Sequence, residues 1–560
     1  MLAMFRAYQK WKRKFSLNNT RLNNLAGKES LFFPELNKSL EDDILPAATL
    51  LPHWGTMQGF NRNLINARTL DFINYSLRGI GQVVFINNPI SGLLILFALF
   101  VQSPWLGLMS LLGVITSTVT AIIWNLERSN IRNGIYGYNG TLVGAAIATF
   151  ALGENASIDI IWIVSVIIFS ALTTILFKLA GNWWVNTFQS PPLTLPFNLM
   201  TLMFLGWAQY LPQFNFGQSE TSIDPANSLD FARLIGAIFI GFGQIFLADK
   251  LIVGVLIFLA IAFCTPIGAM VGLAGSIVGL ITGIILNAGI EDLYSGLYCY
   301  NSILGAMAIG GIFYVFNRRS FWLAMGCACI SVFVGEVLVI FLSIFNFPLL
   351  TLPFCIATIL FFVVLREISL LVPVSLHAIT NPEEHRQRYL DVRLAVYYFR
   401  FQLERFMLGQ PNLFWYNLAE VKVKINLRYI FEAIDTNRVN KVSRHQIKIY
   451  LHETGQLFSP ENIDYLTKFI DLEDSGAFSY EQFCEFILRH EYLIAKHQLL
   501  LDYFLPLNKS KDDLISDREI KQAIALAGYV PLTKMQIWAL QARTKTNWTW
   551  NQFIKVILVT

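Results

Sequence analysis

Ten apolar stretches dominate the chain between residues 75 and 374. They run near 75–101, 104–126, 134–152, 158–180, 193–211, 235–263, 266–289, 296–316, 320–346 and 350–374. Each is long enough to cross a hydrocarbon layer about 30 Å thick as a helix. The first and sixth exceed one simple span, and the first contains Gly, Asn and Pro, so each is read as a short dipping helix followed by a full span. After Val374 the pattern changes. Residues 376–425 alternate charged and aromatic positions, as in Arg388 to Arg400, and predict an amphipathic connector. From 426 to 560, helical apolar patterns flank four twelve-residue windows starting at Asp435, Asp471, Asn508 and Gln541. The eighth position of each window is apolar (Val442, Phe478, Ile515 and Trp548). Short strands at that position would pair loops two by two, which predicts two EF-hand-like pairs.

Charge follows the same division. Only 19 of the 296 residues from Gly79 to Val374 are charged, against 61 of the remaining 264. The second share is ordinary for soluble protein and the first is far below it. The N-terminal segment is basic (Arg6, Lys10, Lys12, Arg13, Lys14, Arg21), lacks the apolar core of a secretory signal, and favours a cytoplasmic N-terminus. A net charge of +4 over 560 residues argues against a nucleic-acid partner. Six cysteines without a CxxC pair give neither a disulfide framework nor a zinc signature.

The apolar block is internally repeated. A shift of 162 residues places Gly79, Gly81 and Gln82 on Gly241, Gly243 and Gln244, and Gly92, Pro104, Gly113 and Asn125 on Gly254, Pro266, Gly275 and Asn287. The same shift carries Gly134, Tyr136, Tyr138, Asn139 and Leu142 onto Gly296, Tyr298, Tyr300, Asn301 and Leu304. Pro191 and Leu193 to Phe197 recur as Pro348 and Leu350 to Phe354 at a shift of 157. Five spans per copy is an odd number, so the second copy enters from the opposite side. The expected fold is an all-α membrane protein of two inverted five-span repeats, ten transmembrane helices plus re-entrant half-helices, with its site at the midplane. The expected divisions are a basic segment 1–70, repeats 71–215 and 216–375, the connector 376–425, and a cytoplasmic EF-hand-like domain 426–560.

Arg78-Gly-Ile-Gly-Gln-Val-Val-Phe85, Asn88-Pro-Ile-Ser-Gly92 and Tyr136-Gly-Tyr-Asn-Gly140 closely resemble the urea transporter family. So do the twin segments Ser190-Pro-Pro-Leu-Thr-Leu-Pro-Phe197 and Phe347-Pro-Leu-Leu-Thr-Leu-Pro-Phe354, which depart from the family signature only at its first Leu. The resemblance covers about residues 70–375. It implies passive conduction of urea, no enzymatic step, and a homotrimer with one pore per subunit in the cell membrane. By resemblance, Tyr138, Tyr300 and Phe85 match aromatic slot positions, and Leu247 stands at the fourth. Val83, Leu142, Ile245 and Leu304 match apolar lining positions, and Gln82 and Gln244 the polar residues beside the slots. Thr194 and Thr351 match a hydroxyl pair at the pore centre. Urea is flat and neutral, with four N–H donors and one carbonyl acceptor, so a dry passage needs apolar walls and hydrogen-bonding oxygens; unpaired donors would cost several kcal/mol each.

All seven histidines lie outside the apolar block, which argues against an ammonia channel of the twin-histidine kind. Glu336 is the clearest acidic residue within a span, has no repeat partner (Lys178 lies in the equivalent neighbourhood), and is read as structural. No phosphate-binding Gly-rich loop is present. Calcium ligands would be sought at Asp471, Glu473 and Ser475, and at Asn508, Ser510, Asp512 and Glu519. Gln446 and Gln482 stand where a bidentate Glu belongs, and Asp513 stands where Gly belongs, so the expectation is no cofactor and a structural tail. Two alternatives remain. One is a channel for short amides, because Leu247 loosens a slot. The other is a regulatory or scaffolding membrane protein on a degenerate channel fold.

Overall fold

The computed structural model describes residues 53–64, 67–151, 160–188, 190–211, 214, 230–367, 371–376, 379–407, 421–453, 476–484, 487, 497, 499–501, 504, 515–527, 532–544 and 549–559. They fall into two compact units, one ending at Arg386 and the other starting at Gln387.

In the first unit, α1 (Gln58–Asn63) precedes the first repeat: α2 (Arg68–Gln82), α3 (Pro89–Gln102), α4 (Pro104–Ile123), α5 (Arg128–Arg132), α6 (Tyr138–Phe150), α7 (Ile160–Phe188) and α8 (Leu195–Ala208). The second repeat follows as α9 (Phe231–Gln244), α10 (Leu251–Cys264), α11 (Pro266–Ile285), α12 (Ile290–Tyr294), α13 (Tyr300–Met307), α14 (Arg318–Leu342) and α15 (Leu352–Glu367). The bounds of α3, α4 and α5 fall on those of α10, α11 and α12 at the 162-residue shift. The starts of α8 and α15 correspond at 157.

Local chemistry explains the shared bounds. Pro104 and Pro266 open α4 and α11 at positions needing no backbone donor, and Ser103 and Thr265 cap the first turns through Leu106 N and Gly268 N. The backbone also repeats its rarer conformations: φ is +61° at Phe85 and +57° at Leu247, and +73° at both Gly134 and Gly296. Gly92 and Gly254 are spacing residues, since a Cβ there would lie 1.9 Å from the Leu77 carbonyl and 2.0 Å from that of Phe239. Any larger side chain would push α2 off α3, and α9 off α10.

Helix lengths differ from the sequence expectation. Among the described residues, four helices are long and apolar enough to cross a membrane: Pro104–Ile123, Ile160–Gly181, Pro266–Ile285 and Arg318–Phe345. The other apolar helices are shorter; α3 and α10, at 14 residues each, span about 21 Å. The first and sixth stretches divide into helix pairs, as their excess length predicts, with turns at residues 83–88 and 245–250 that end on Asn87-Asn88 and Asp249-Lys250.

The equivalent helices α3 and α10 run antiparallel. Lys250 Nζ, just before α10, reaches the Gln102 carbonyl at the end of α3 (2.7 Å), and Ser91 Oγ near the start of α3 reaches the Ala260 carbonyl near the end of α10 (2.8 Å). Outer faces stay apolar and exposed, as at Phe97, Leu108, Ile168 and Ile340. Arg78 is fully buried, and its five bonds go to neutral oxygens: Asn74 Oδ1, Asn87 Oδ1 and the carbonyls of Thr56, Met57 and Asn87. The segment after α15 returns to this unit, where Glu383 accepts from Thr265 Oγ1 (2.7 Å) and Ile267 N (2.8 Å), capping α11. Glu336 is exposed on α14 and accepts from the Tyr298 hydroxyl (2.8 Å).

The long helix α16 (Pro382–Met407) leads into the second unit, which holds α17 (Val421–Ile434), β1 (Lys441–Ser443), α18 (Arg444–Glu453), β2 (Ala477–Ser479), α19 (Asp517–Leu526), α20 (Lys534–Thr544) and α21 (Trp550–Val559). Strands β1 and β2 pair antiparallel with Val442 opposite Phe478, both buried. These are the window positions that the sequence marks for loop pairing.

Candidate functional site

The residues singled out in the sequence occupy equivalent places in the two repeats, and the two threonines bring the copies together. Gln82 and Gln244 end α2 and α9, and each side-chain amide donates across to a turn carbonyl: Gln82 to Asn133 (2.8 Å), Gln244 to Ser295 (2.9 Å). Beyond them Val83 and Ile245 are buried, and the chain turns back through Phe85 and Leu247. The left-handed backbone at these two side chains costs about 1–2 kcal/mol each. It is held by Ile86 N on the Gly81 carbonyl (3.0 Å) and Ala248 N on that of Gly243 (3.1 Å). Phe85 meets Phe313 and Phe354 edge-to-face, with ring centroids 5.8 and 6.1 Å away. Leu247 shares a cavity wall with Phe197, the repeat partner of Phe354.

Tyr138 and Tyr300 begin α6 and α13. Their hydroxyls donate to the carbonyls of Leu193 (2.5 Å) and Leu350 (2.7 Å), two residues with φ near +50° just before α8 and α15. The next residue in each copy finishes the joint: Asn139 Oδ1 accepts from Phe197 N and Asn301 Oδ1 from Phe354 N, both at 3.2 Å. Leu142 and Leu304 lie one turn on, buried.

At the centre the two copies meet. Thr194 and Thr351 are the residues before α8 and α15, and their hydroxyl oxygens lie 2.6 Å apart. The starts of the two helices therefore meet. One turn into each helix stands the residue that touches the other copy. Asn198 Nδ2 donates to Thr351 Oγ1 (2.9 Å) and to the Thr194 carbonyl (2.8 Å), while its Oδ1 accepts from Thr351 N (3.0 Å). Cys355, its repeat equivalent, places Sγ 3.1 Å from Thr194 Oγ1. Sequence reading did not single out Asn198 or Cys355. Their signal is the i, i+4 spacing from the two threonines, which puts them on the same helix face.

A cavity of about 670 Å³ opens toward this centre from one side. Gln244, Ile245, Leu247, Tyr300 and Thr351 line it, with Phe197 and Leu350. Gln82, Val83, Phe85, Tyr138, Leu142, Thr194 and Leu304 do not face it. Thr194 joins it to the other copy through the hydroxyl pair.

Tyrosines, glutamines and threonines recur at equivalent places in the two copies, and the threonines meet at one buried centre. A model of the urea transporter family matches residues 73–366. The chain belongs to the urea transporter family. It is 34% identical over 332 residues to Urea transporter 1 of Ovis aries, covering 58% of this chain and 85% of the relative. The protein of the same name from Capra hircus is 34% identical over 333 residues with the same shares. That from Mus musculus is 33% identical over 327 residues, covering 58% of this chain and 84% of the relative. Beyond the urea transporter region, a model of an EF-hand domain pair matches residues 424–488.

In that second region the loop positions serve the fold. Ser443 N donates to Gln446 Oε1 (2.8 Å) and Gln446 Nε2 to the Ile434 carbonyl (3.2 Å), so the twelfth side chain of the first window caps α18. Ser479 with Gln482, Ser516 with Glu519, and Thr549 with Gln552 make the same reciprocal cap in the other windows. Asp435 turns its carboxylate onto Val439 N and Asn440 N. Asp471, Glu473, Ser475, Asn508, Ser510 and Asp512 lie outside the described residues. Among the described residues no group of three His, Cys, Asp or Glu could hold a metal ion.

Proposed function

We propose that the protein conducts urea passively across a membrane, along a path that enters beside the glutamine of one repeat, passes the central threonines and leaves beside the glutamine of the other. The meeting of Thr194 and Thr351 at the starts of two short helices carries this reading. Hydroxyl oxygens stand together there, and a neutral molecule rich in N–H groups passing beside them can exchange its water for fixed partners. Because the hydroxyls bond each other, urea passes beside the pair rather than between the two oxygens.

The antiparallel run of α3 and α10 supports two inverted repeats of five membrane segments, several of them half-length; the basic N-terminal segment favours both chain ends on the cytoplasmic side of the cell membrane. Conduction needs no bond making, so the protein is a transporter and not an enzyme. Homotrimeric assembly, with one pore per subunit, belongs to the same reading. Calcium is no part of it, since Gln446, Gln482 and Gln552 offer a neutral amide where an ion needs a carboxylate, and Glu519, the carboxylate at that position of the third window, accepts from Ser516 N and Oγ instead. The twelve residues Gln82, Val83, Phe85, Tyr138, Leu142, Thr194, Gln244, Ile245, Leu247, Tyr300, Leu304 and Thr351 are proposed as the path.

Urea efflux from proteoliposomes tests the proposal: flux well above that of protein-free vesicles is expected. No difference from empty vesicles would sink it and favour a scaffold. A second reading, passage of short amides, is favoured by Leu247, which puts an aliphatic wall where the other repeat has Phe85.

A further inference from the structure

The central threonines are related by the repeat, yet their hydrogen-bond surroundings are not equivalent. Thr351 N–H can only donate, so it must face Asn198 Oδ1, and the distance is 3.0 Å. That fixes the amide: Nδ2 is the atom that reaches Thr351 Oγ1 (2.9 Å) and the Thr194 carbonyl (2.8 Å). Thr351 Oγ1 therefore accepts from Asn198. Among the described residues its own hydrogen has one acceptor within reach, Thr194 Oγ1 at 2.6 Å, and a buried hydroxyl does not leave such a partner unused. Thr194 Oγ1 thus accepts from Thr351, and its hydrogen is left with Cys355 Sγ at 3.1 Å. Sulfur is a weak acceptor.

We infer that the pore centre is a one-way hydrogen-bond chain, from the Asn198 amide through Thr351 to Thr194 and ending on the Cys355 sulfur, so that Thr194 alone offers a donor to the substrate carbonyl. Only the Thr194 hydroxyl can turn to an incoming oxygen without giving up a strong bond. Thr351 contributes acceptor lone pairs for N–H groups, and its donor is already committed. Asn198 is the positioning residue that sets the direction, and Thr194 is the specificity-determining residue for a carbonyl oxygen. The inference rests on the urea-conducting reading above.

Thiourea is the probe, because its C=S group has the N–H donors of urea but a far weaker acceptor. The readout is the ratio of initial urea to thiourea flux in proteoliposomes. Thr194→Val should lower that ratio roughly three- to tenfold, the worth of one hydrogen bond. Thr194→Ser should keep it. Thr351→Val should reduce both fluxes while leaving the ratio in place. Asn198→Cys installs the residue that the other repeat already carries and lets the chain run either way. In that background Thr351 shares the donor role, so Thr194→Val should move the ratio less than it does in the wild-type background; the unchanged ratio in Thr351→Val provides a test even where Thr194→Val does not assemble. Equal ratio shifts in the two single Val variants would overturn the inference, as would a shifted ratio in Thr351→Val alone or an effect of Thr194→Val as large in the Asn198→Cys background as in the wild type. Absence of urea flux in the wild-type protein would instead overturn the conduction reading itself.

Discussion

Arg78 shows what a single buried charge does in this fold. Its guanidinium is held by neutral oxygens on the 54–57 segment, on α2 and on the turn before α3. Arg78→Met would strand several buried acceptors at about 1–3 kcal/mol each. The expected result is loss of a monodisperse protein in detergent, with Arg78→Lys retaining more than Arg78→Met; a Met variant as heat-stable as wild type would contradict this. Leu247 allows a gentler test. An aliphatic wall tolerates an extra methyl at about 1–3 kcal/mol. Leu247→Phe should therefore reduce methylurea flux relative to urea flux by severalfold, and an unchanged or higher ratio would remove Leu247 from the path. At this scale the sequence carried a good deal. Tyr138 with Tyr300, Gln82 with Gln244 and Thr194 with Thr351 all stand out as repeated chemistry. Arg78 stood out only as the first residue of a motif, because burial is invisible in one dimension. Asn198 and Cys355 escaped notice because their residue types differ between the copies.

The helices follow the repeat to the residue wherever Pro, Ser, Thr or Gly sets a boundary. Those residues act locally, through a cap or a close approach, so the sequence alone reveals them. The breaks after Gln82 and Gln244 were legible as an excess of length and, in the first copy, from the Gly, Asn and Pro it contains. They are turns held by backbone bonds, and hydropathy has no term for such bonds. Gly92→Ala and Gly254→Ala test the element scale directly. Each puts a carbon near 2 Å from a neighbouring carbonyl, so each should abolish a correctly assembled protein or, at least, urea flux. An alanine variant with wild-type flux and stability would mean that α2 and α3, or α9 and α10, do not approach as closely as described. The caps of the second unit were legible in part. The missing Glu at Gln446 and Gln482 pointed away from calcium, but the reciprocal bonds that replace it required the fold.

For the whole molecule, a neutral cargo and a centre built of hydroxyls, an amide and a thiol predict conduction without coupling. Urea flux should be indifferent to sodium, to membrane potential and to mild pH changes around neutrality. A reproducible current tied to urea uptake would contradict that. With neutral amides at the twelfth position of three windows and Glu519 committed to Ser516 in the other, adding calcium or a chelator should leave the melting temperature of the protein unchanged within about 1 °C; a rise of several degrees with calcium would mean that an ion is bound. The most direct measurement concerns the point where the two repeats meet. Initial urea flux should be recorded by stopped-flow light scattering in proteoliposomes carrying equal amounts of wild-type protein or the Thr194→Val/Thr351→Val variant. Valine keeps the shape and removes both hydroxyls, so flux should fall by about tenfold or more while assembly is retained. Wild-type flux in a correctly assembled double variant would show that urea does not pass the threonine pair.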